Sequence, residues 1–159
     1  MNLDVFLIII SFLAGLAATA VMTVIELPAW KKWGLRGVLE WHENQNLSKK
    51  FFRLSGEELH WKGIFALHFG NGGLGGVGFV LALMLFSFAS QNLLLSGILY
   101  AIFLWVVTLI PIHKPITGIT PWKHPDGNIP MLISLAGHLV YGLVLQYIVG
   151  LLQIGRAHV

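Results

Sequence analysis

The chain alternates between long apolar stretches and two polar segments rich in tryptophan, proline and basic residues. Four of the apolar stretches are long enough to cross a bilayer as helices, which takes about 20 residues each. We predict an all-α polytopic membrane protein in which residues 1–153 form one domain of four spans. The spans are predicted at about residues 5–29, 56–86, 93–110 and 130–153.

The polar segments at residues 30–55 and 111–129 set the predicted topology. Seven of the ten Lys and Arg residues lie between residues 30 and 62. Because cytoplasmic loops carry an excess of Lys and Arg, both segments are predicted to be cytoplasmic and both termini outside the cell membrane. The aromatic residues of the first segment are predicted to be anchors at the lipid headgroups: Trp30, Trp33, Trp41 and Trp61.

Local signals predict where the helices begin and end. Ser55 starts a capping box, so the second span is predicted to begin before the membrane, near Gly56. Pro28 and Pro111 are predicted to close the first and third spans, because proline interrupts helical hydrogen bonding. An uncharged turn is predicted at residues 87–92.

Composition supports the membrane class and excludes several chemistries. Of 159 residues, 56% are hydrophobic and 11% are charged, and the mean hydropathy is +0.77. Soluble domains carry about 25% charged residues. The absence of cysteine excludes disulfides and thiolate metal sites. The net charge of +3 comes mainly from the first loop, so we expect no nucleic-acid partner.

The last six residues do not fit the pattern of the rest. Residues 154–159 have the sequence that a common sequencing adapter encodes when it is read in frame. We therefore expect a scar at this position and leave Arg156 and His158 out of the candidate chemistry.

Glycine and histidine mark the most distinctive stretch, residues 67–78. It holds six glycines in nine positions, which form a smooth face for close helix packing. The pattern His68-x-x-x-Gly72 in the second span is repeated as His138-x-x-x-Gly142 in the fourth. The repeat suggests two helical hairpins in parallel orientation, related by an axis along the membrane normal.

His68 and His138 are predicted to lie at the same depth. At about 1.5 Å per residue, each lies roughly 9–12 Å inside the cytoplasmic end of its span. Polar side chains at that depth are unfavourable and tend to mark function. Glu26 and His113 are predicted at the same end but nearer to the surface. The remaining histidines of the polar segments are predicted to be solvated: His42, His60 and His124.

Three interpretations of these residues stay open. In the first, the histidines are buried packing residues, and the protein is a non-enzymatic membrane subunit or scaffold. Small-residue helix faces would then pack it into a homodimer or a larger membrane complex. In the second, the protein is a redox subunit that binds haem b or a divalent metal ion near the cytoplasmic side; for haem, His68 and His138 are the axial ligands, and Gly72 and Gly142 admit the porphyrin. In the third, four side chains bind a divalent metal ion: Glu26, His68, His113 and His138.

Two segments resemble a known family. They are Gly15-Leu-Ala-Ala-Thr-Ala-Val-Met-Thr23 in the first span and Gly137-His-Leu-Val-Tyr-Gly-Leu-Val-Leu145 in the fourth. Both are similar to small YagU-type integral membrane proteins of unknown function. The resemblance implies a four-helix membrane fold and implies no activity.

Overall fold

The computed structural model describes residues 5–56, 58–86 and 92–156, with the backbone alone for residues 153–156. Residues 87–91 of the predicted turn lie outside the described residues. Throughout the described part every regular element is helical, as the apolar pattern predicts. Four helical segments are long and apolar enough to span a membrane: Val5–Trp33, Trp61–Leu85, Leu93–Thr117 and Ile129–Leu152.

The four long helices form a bundle that is open on one side. They are α1 (Val5–Trp33), α3 (Trp61–Leu85), α4 (Leu93–Thr108) and α6 (Ile129–Arg156). Helix α1 packs along α3 and α6, and α6 also packs along α4, whereas α3 and α4 hardly touch. A cleft therefore separates α3 from α4.

The prolines predicted to end two helices lie inside helical segments instead. Helix α1 continues past Pro28 to Trp33. After α4 the chain passes through a π-helical turn, Leu109–His113, which contains Pro111, and into the short helix α5, Lys114–Thr117. Both helix-end predictions are wrong. Membrane helices tolerate proline because neighbouring groups or a local change of helix type satisfy the carbonyl that proline leaves unpaired.

Helix α3 begins at Trp61, so the predicted start near Gly56 is wrong. A side chain of another helix binds the preceding segment. The amide of Gln45 donates to the carbonyl of Glu58 at 2.8 Å and accepts from the backbone N–H of His60 at 2.9 Å. These bonds hold the backbone in an irregular conformation, and this tertiary contact overrides the local capping signal.

Helix α2 (Leu39–Phe52) is the element that the sequence pattern did not predict. It packs mainly against α3 and also touches α5 and α6, at the end of the bundle where α1 ends. Trp41 is fully buried, so its predicted position among the lipid headgroups is wrong. The inner face of α2 is largely polar, and its buried residues are Leu39, Trp41, Glu43, Asn44, Gln45 and Ser48.

Glycine lets the helices of each hairpin approach closely. A Cβ atom on Gly15 of α1 would overlap the carbonyl oxygen of Gly72 on α3. Helices α4 and α6 make the same kind of contact, because a Cβ on Gly142 would overlap the carbonyl oxygen of Gly97. These glycine faces are therefore filled by helices of the same chain.

We expect Gly15→Ala to destabilise the protein by about 1–3 kcal/mol, because the added methyl group forces α1 and α3 apart. Gly70→Ala is the matched control, since a Cβ on Gly70 meets nothing within 4 Å. That change should stabilise α3 by about 1 kcal/mol through helix propensity alone. Thermal unfolding of both variants in one detergent measures the difference. Equal stability of the two variants would contradict the close α1–α3 packing.

Candidate functional site

Glu26 lies near the end of α1 and joins two other helices. Its carboxylate is fully buried and accepts a hydrogen bond from the indole N–H of Trp41 on α2, at 2.8 Å. The Nε2 atom of His68 on α3 lies 3.5 Å from the same oxygen and 3.1 Å from the hydroxyl of Thr23. That hydroxyl donates to the carbonyl of Thr19, so it can only accept from His68. Neutral His68 therefore carries its proton on Nε2, and its Nδ1 is unprotonated.

His138 of α6 forms a second pair with Glu40 of α2. Its Nδ1 atom lies 2.9 Å from the carbonyl oxygen of Ser134 and 3.4 Å from Oε1 of Glu40. Because a carbonyl only accepts, neutral His138 carries its proton on Nδ1 and leaves Nε2 unprotonated. The hydroxyl of Ser134 donates to the same Glu40 oxygen. The other oxygen, Oε2, is buried and has no partner among the described residues.

His113, at the end of the π-helical turn, forms a third pair with Glu43 of α2. Its Nδ1 donates to Oε1 of Glu43 at 2.7 Å. His113 is fully buried, and its Nε2 has no hydrogen-bond partner in the described part of the chain. Burial raises the pKa of Glu43, although the hydrogen bond from His113 opposes that shift.

Helix α2 is what brings the three pairs together. Its Glu40 contacts α6, its Trp41 contacts α1, and its Glu43 contacts the π-helical turn. Sequence reasoning missed Glu40 and Glu43, because a basic segment was interpreted as a surface loop. The signal was the i, i+3 spacing of the two carboxylates, which places both on one face of a helix.

A cavity of about 120 Å³ lies between the pairs, and we name it the polar cavity for the carboxylates, imidazoles and amides in a lining that is otherwise largely apolar. It can hold a few water molecules, at about 30 Å³ each, or one ion. It is smaller than the roughly 300–1,000 Å³ of typical small-molecule pockets. Its polar lining consists mostly of hydrogen-bond acceptors and amides: Glu40, Glu43, Asn44, His68, Asn71 and His138.

The predicted metal ligands are distributed over the three separate pairs. Within residues 5–56, 58–86 and 92–156, no group of three or more His, Asp or Glu side chains is placed so that it could hold one metal ion. Metal binding therefore stays a prediction for the four side chains proposed from the sequence: Glu26, His68, His113 and His138.

The glycines predicted to admit a porphyrin contact other helices. A Cβ on Gly72 would overlap the side chain of Thr19, and Gly142 lies against Gly97. The polar cavity that His68 and His138 line is small for a macrocycle. Haem ligation stays a prediction to which this geometry adds no support.

The histidines predicted to be solvated are at least partly buried, and for His124 the prediction is wrong. Its Nδ1 accepts the backbone N–H of Asp126 at 3.1 Å, and burial lowers its pKa. The ring of His42 lies 6.1 Å from the ring of His113, centroid to centroid. Burial and the neighbouring His113 lower the pKa of His42 to about 4. His42 and His124 therefore pack against other groups of the protein at this end of the bundle and are not fully solvated.

His42 also lines a second space, the surface pocket, of about 480 Å³. This surface pocket includes the exposed residues Gly34, Arg36 and Leu59, so it lies at the protein surface. His42 therefore stands between the surface pocket and the buried ring of His113.

Comparison with known proteins adds no relative from which a role could be taken. No family model, curated protein or solved structure matches the chain. The resemblance to YagU-type membrane proteins stays a prediction, and the function has to be inferred from the geometry of the site.

Trp41→Phe should destabilise the protein, because it leaves an oxygen of the buried Glu26 carboxylate without its hydrogen-bond donor. The free energy of unfolding should fall by about 1–3 kcal/mol. Trp105→Phe is the matched control, since the Trp105 indole nitrogen has no partner among the described residues. In a Glu26→Leu background, Trp41→Phe should have a smaller effect. Chemical or thermal unfolding gives the comparison, and an equal effect in both backgrounds would contradict the bond.

His42 should make stability depend on pH. Its folded-state pKa is about 4, whereas an unfolded histidine binds a proton near pH 6.5. Stability is therefore lost as the pH falls from about 6.5 towards 4. The His42→Gln variant does not lose this stability. As the pH is lowered from 7 to 5, its melting temperature should therefore increase relative to that of the wild type. His60→Gln serves as the control, and a wild-type-to-His42→Gln difference that is independent of pH would rule the effect out.

Proposed function

We propose that the protein is a membrane subunit that carries protons between one aqueous face and the polar cavity inside the bundle. The observation that supports this most is the chain His42–His113–Glu43, which joins the surface pocket to the polar cavity. Chains of buried histidine and carboxylate side chains within membrane proteins commonly act as proton relays.

The outer step runs between His42 and His113. Nδ1 of His42 and Nε2 of His113 are both buried and have no partner among the described residues. The ring centroids lie 6.1 Å apart, so proton transfer across this step requires that the rings reorient or that a water molecule enters between them. A neutral imidazole has one donor and one acceptor nitrogen, so it can take a proton on one side and release it on the other.

The inner step runs from His113 to Glu43 and into the polar cavity. The 2.7 Å bond between them is short enough for direct proton transfer. Burial raises the pKa of Glu43, which favours the protonated acid over a buried charge. Glu43 also lines the polar cavity, so a proton that reaches it lies beside Glu40 and His138.

The polar cavity favours a cation over an anion. The ion pairs of Glu26, Glu40 and Glu43 in the described part of the chain are all with histidines. A buried carboxylate must be neutralised by a proton or by a paired cation, such as a protonated base. The unprotonated nitrogens of His68 and His138 add further acceptors, and a proton is the smallest cation that satisfies this set.

We infer that the surface pocket faces the cytoplasm. Its residues belong to the segment that carries most of the positive charge of the chain. Positive residues are retained on the cytoplasmic side of membrane proteins. Protons would then enter the polar cavity from the cytoplasm.

A divalent metal ion is the second candidate for the occupant of the polar cavity. One observation favours it: each histidine of the three pairs has one ring nitrogen held by a carboxylate, hydroxyl or carbonyl. Histidines that ligate metals are oriented in this way by their other nitrogen. The side chains would have to move closer together to share one ion, since no such group exists among the described residues.

The scaffold interpretation rested on small-residue helix faces that a partner could cover. The Gly15–Gly72 and Gly97–Gly142 contacts fill those faces within the chain. A homodimer or larger membrane complex therefore stays a prediction that needs a different surface.

Time-resolved infrared spectroscopy tests the relay on protein in lipid nanodiscs after a rapid drop in pH. The band of protonated carboxyl groups should grow, and Glu43→Gln should remove part of it. His113→Phe interrupts the chain and should slow the growth about 100-fold, within the range expected for loss of a proton-transferring group. His60→Phe, at the same end of the bundle, should leave the rate unchanged.

An unchanged rate in His113→Phe would overturn the relay. Elemental analysis and an absorption spectrum of the purified protein test the alternatives. A stoichiometric metal that is lost in His138→Ala would favour the metal site. A Soret band lost in both His68→Ala and His138→Ala would favour haem.

A further inference from the structure

The space between α3 and α4 contains an apolar cleft of about 450 Å³. This volume falls within the roughly 300–1,000 Å³ of pockets that hold small molecules. Leu81, Leu85 and Leu99 on its walls are 37%, 78% and 50% exposed, so the apolar cleft opens towards the lipid. A molecule dissolved in the bilayer can therefore enter it from the side.

The apolar cleft adjoins the polar cavity. On α3, Gly75 lines the polar cavity and Gly78, one turn later, lines the apolar cleft. On α4, Leu104 lines the polar cavity and Tyr100, one turn earlier, lines the apolar cleft. The hydroxyl of Tyr100 donates to the carbonyl of Gly75 at 2.8 Å and marks the boundary. Because this bond joins α3 to α4 between the two spaces, a long molecule in the apolar cleft reaches the polar cavity with one end only when the bond opens.

The side chains that line the polar cavity determine which kind of head group can bind there. Glu40 and Glu43 line it, and Oε2 of Glu40 is buried with no partner among the described residues. The unprotonated nitrogens of His68 and His138 are acceptors as well. A head group with several N–H donors and a positive charge complements this lining, whereas a phosphate or carboxylate head group is repelled.

We propose that the apolar cleft binds the hydrocarbon chain of a single-chain amphiphile and that the polar cavity binds its cationic head group, such as a primary ammonium. This rests on the proposed function, because the ammonium group and the relayed proton would neutralise the same carboxylates. The protein would then exchange a proton for a lipid-soluble cation at one site.

Binding of three amphiphiles with the same twelve-carbon chain tests the proposal: dodecylamine, dodecanol and dodecanoate. The protein is held in a non-ionic detergent at pH 7, and native mass spectrometry counts the bound molecules. Dodecylamine should bind one per chain and about tenfold or more tighter than dodecanoate, a difference of about 1.4 kcal/mol. A Glu40→Gln, Glu43→Gln double variant should lose this preference.

Ala82→Phe fills the apolar cleft and should weaken dodecylamine binding about tenfold or more. Leu74→Phe is the matched control on the same helix, since Leu74 is 65% exposed and is not among the residues that line the apolar cleft. Leu99→Trp on the opposite wall replaces Ala82→Phe if that variant does not fold.

Equal binding by the filled and control variants, or tighter binding of dodecanoate, would overturn the proposal. The binding is measured at equilibrium and at fixed pH, so it does not depend on the rate of proton entry. A failed relay with selective dodecylamine binding would overturn only the proposed function. A working relay without that selectivity would overturn only this inference.

Discussion

The docking of α2 into the end of the bundle is the constraint on which the rest of the site depends. Three closely spaced side chains of this helix, Glu40, Trp41 and Glu43, each bind a different part of the membrane bundle. Without α2, His113 and His138 would lose their carboxylate partners and Glu26 its indole donor. These contacts are buried and polar. Removal of either side chain leaves the other one buried without its hydrogen-bond partner, which destabilises the fold.

The bundle supports this arrangement through unequal packing of its helices. Glycine contacts hold α1 against α3 and α4 against α6, while α3 and α4 stay apart. Two spaces lie between these helices, the polar cavity beside α2 and the apolar cleft towards the other end, and the Tyr100–Gly75 hydrogen bond lies between them. The same asymmetry breaks the symmetry suggested by the repeated His-x-x-x-Gly pattern, because α1 packs extensively against α6 whereas α3 and α4 make few contacts.

The sequence predicted the membrane class well because a bilayer imposes long uncharged helices, which composition reveals directly. It failed where tertiary contacts decided the outcome. Hydrogen bonds from and to Gln45 hold the segment before α3 in an irregular conformation. Pro28 lies inside α1 and does not end the helix. Likewise, the basic segment that contains Glu40 and Glu43 was interpreted as a surface loop, so both carboxylates were missed. No local pattern shows that a polar segment folds back into a bundle.

Histidine tautomers give the most direct test of the central claim, that carboxylates of α2 orient His113 and His138 while Glu26 and Thr23 of α1 orient His68. Nitrogen NMR of the ¹⁵N-labelled side chains in lipid resolves which ring nitrogen carries the proton. At neutral pH the account predicts Nδ1–H for His113 and His138 and Nε2–H for His68. Fast exchange between tautomers at all three rings, as for solvated histidine, or the opposite assignment at His113 and His138, would contradict it.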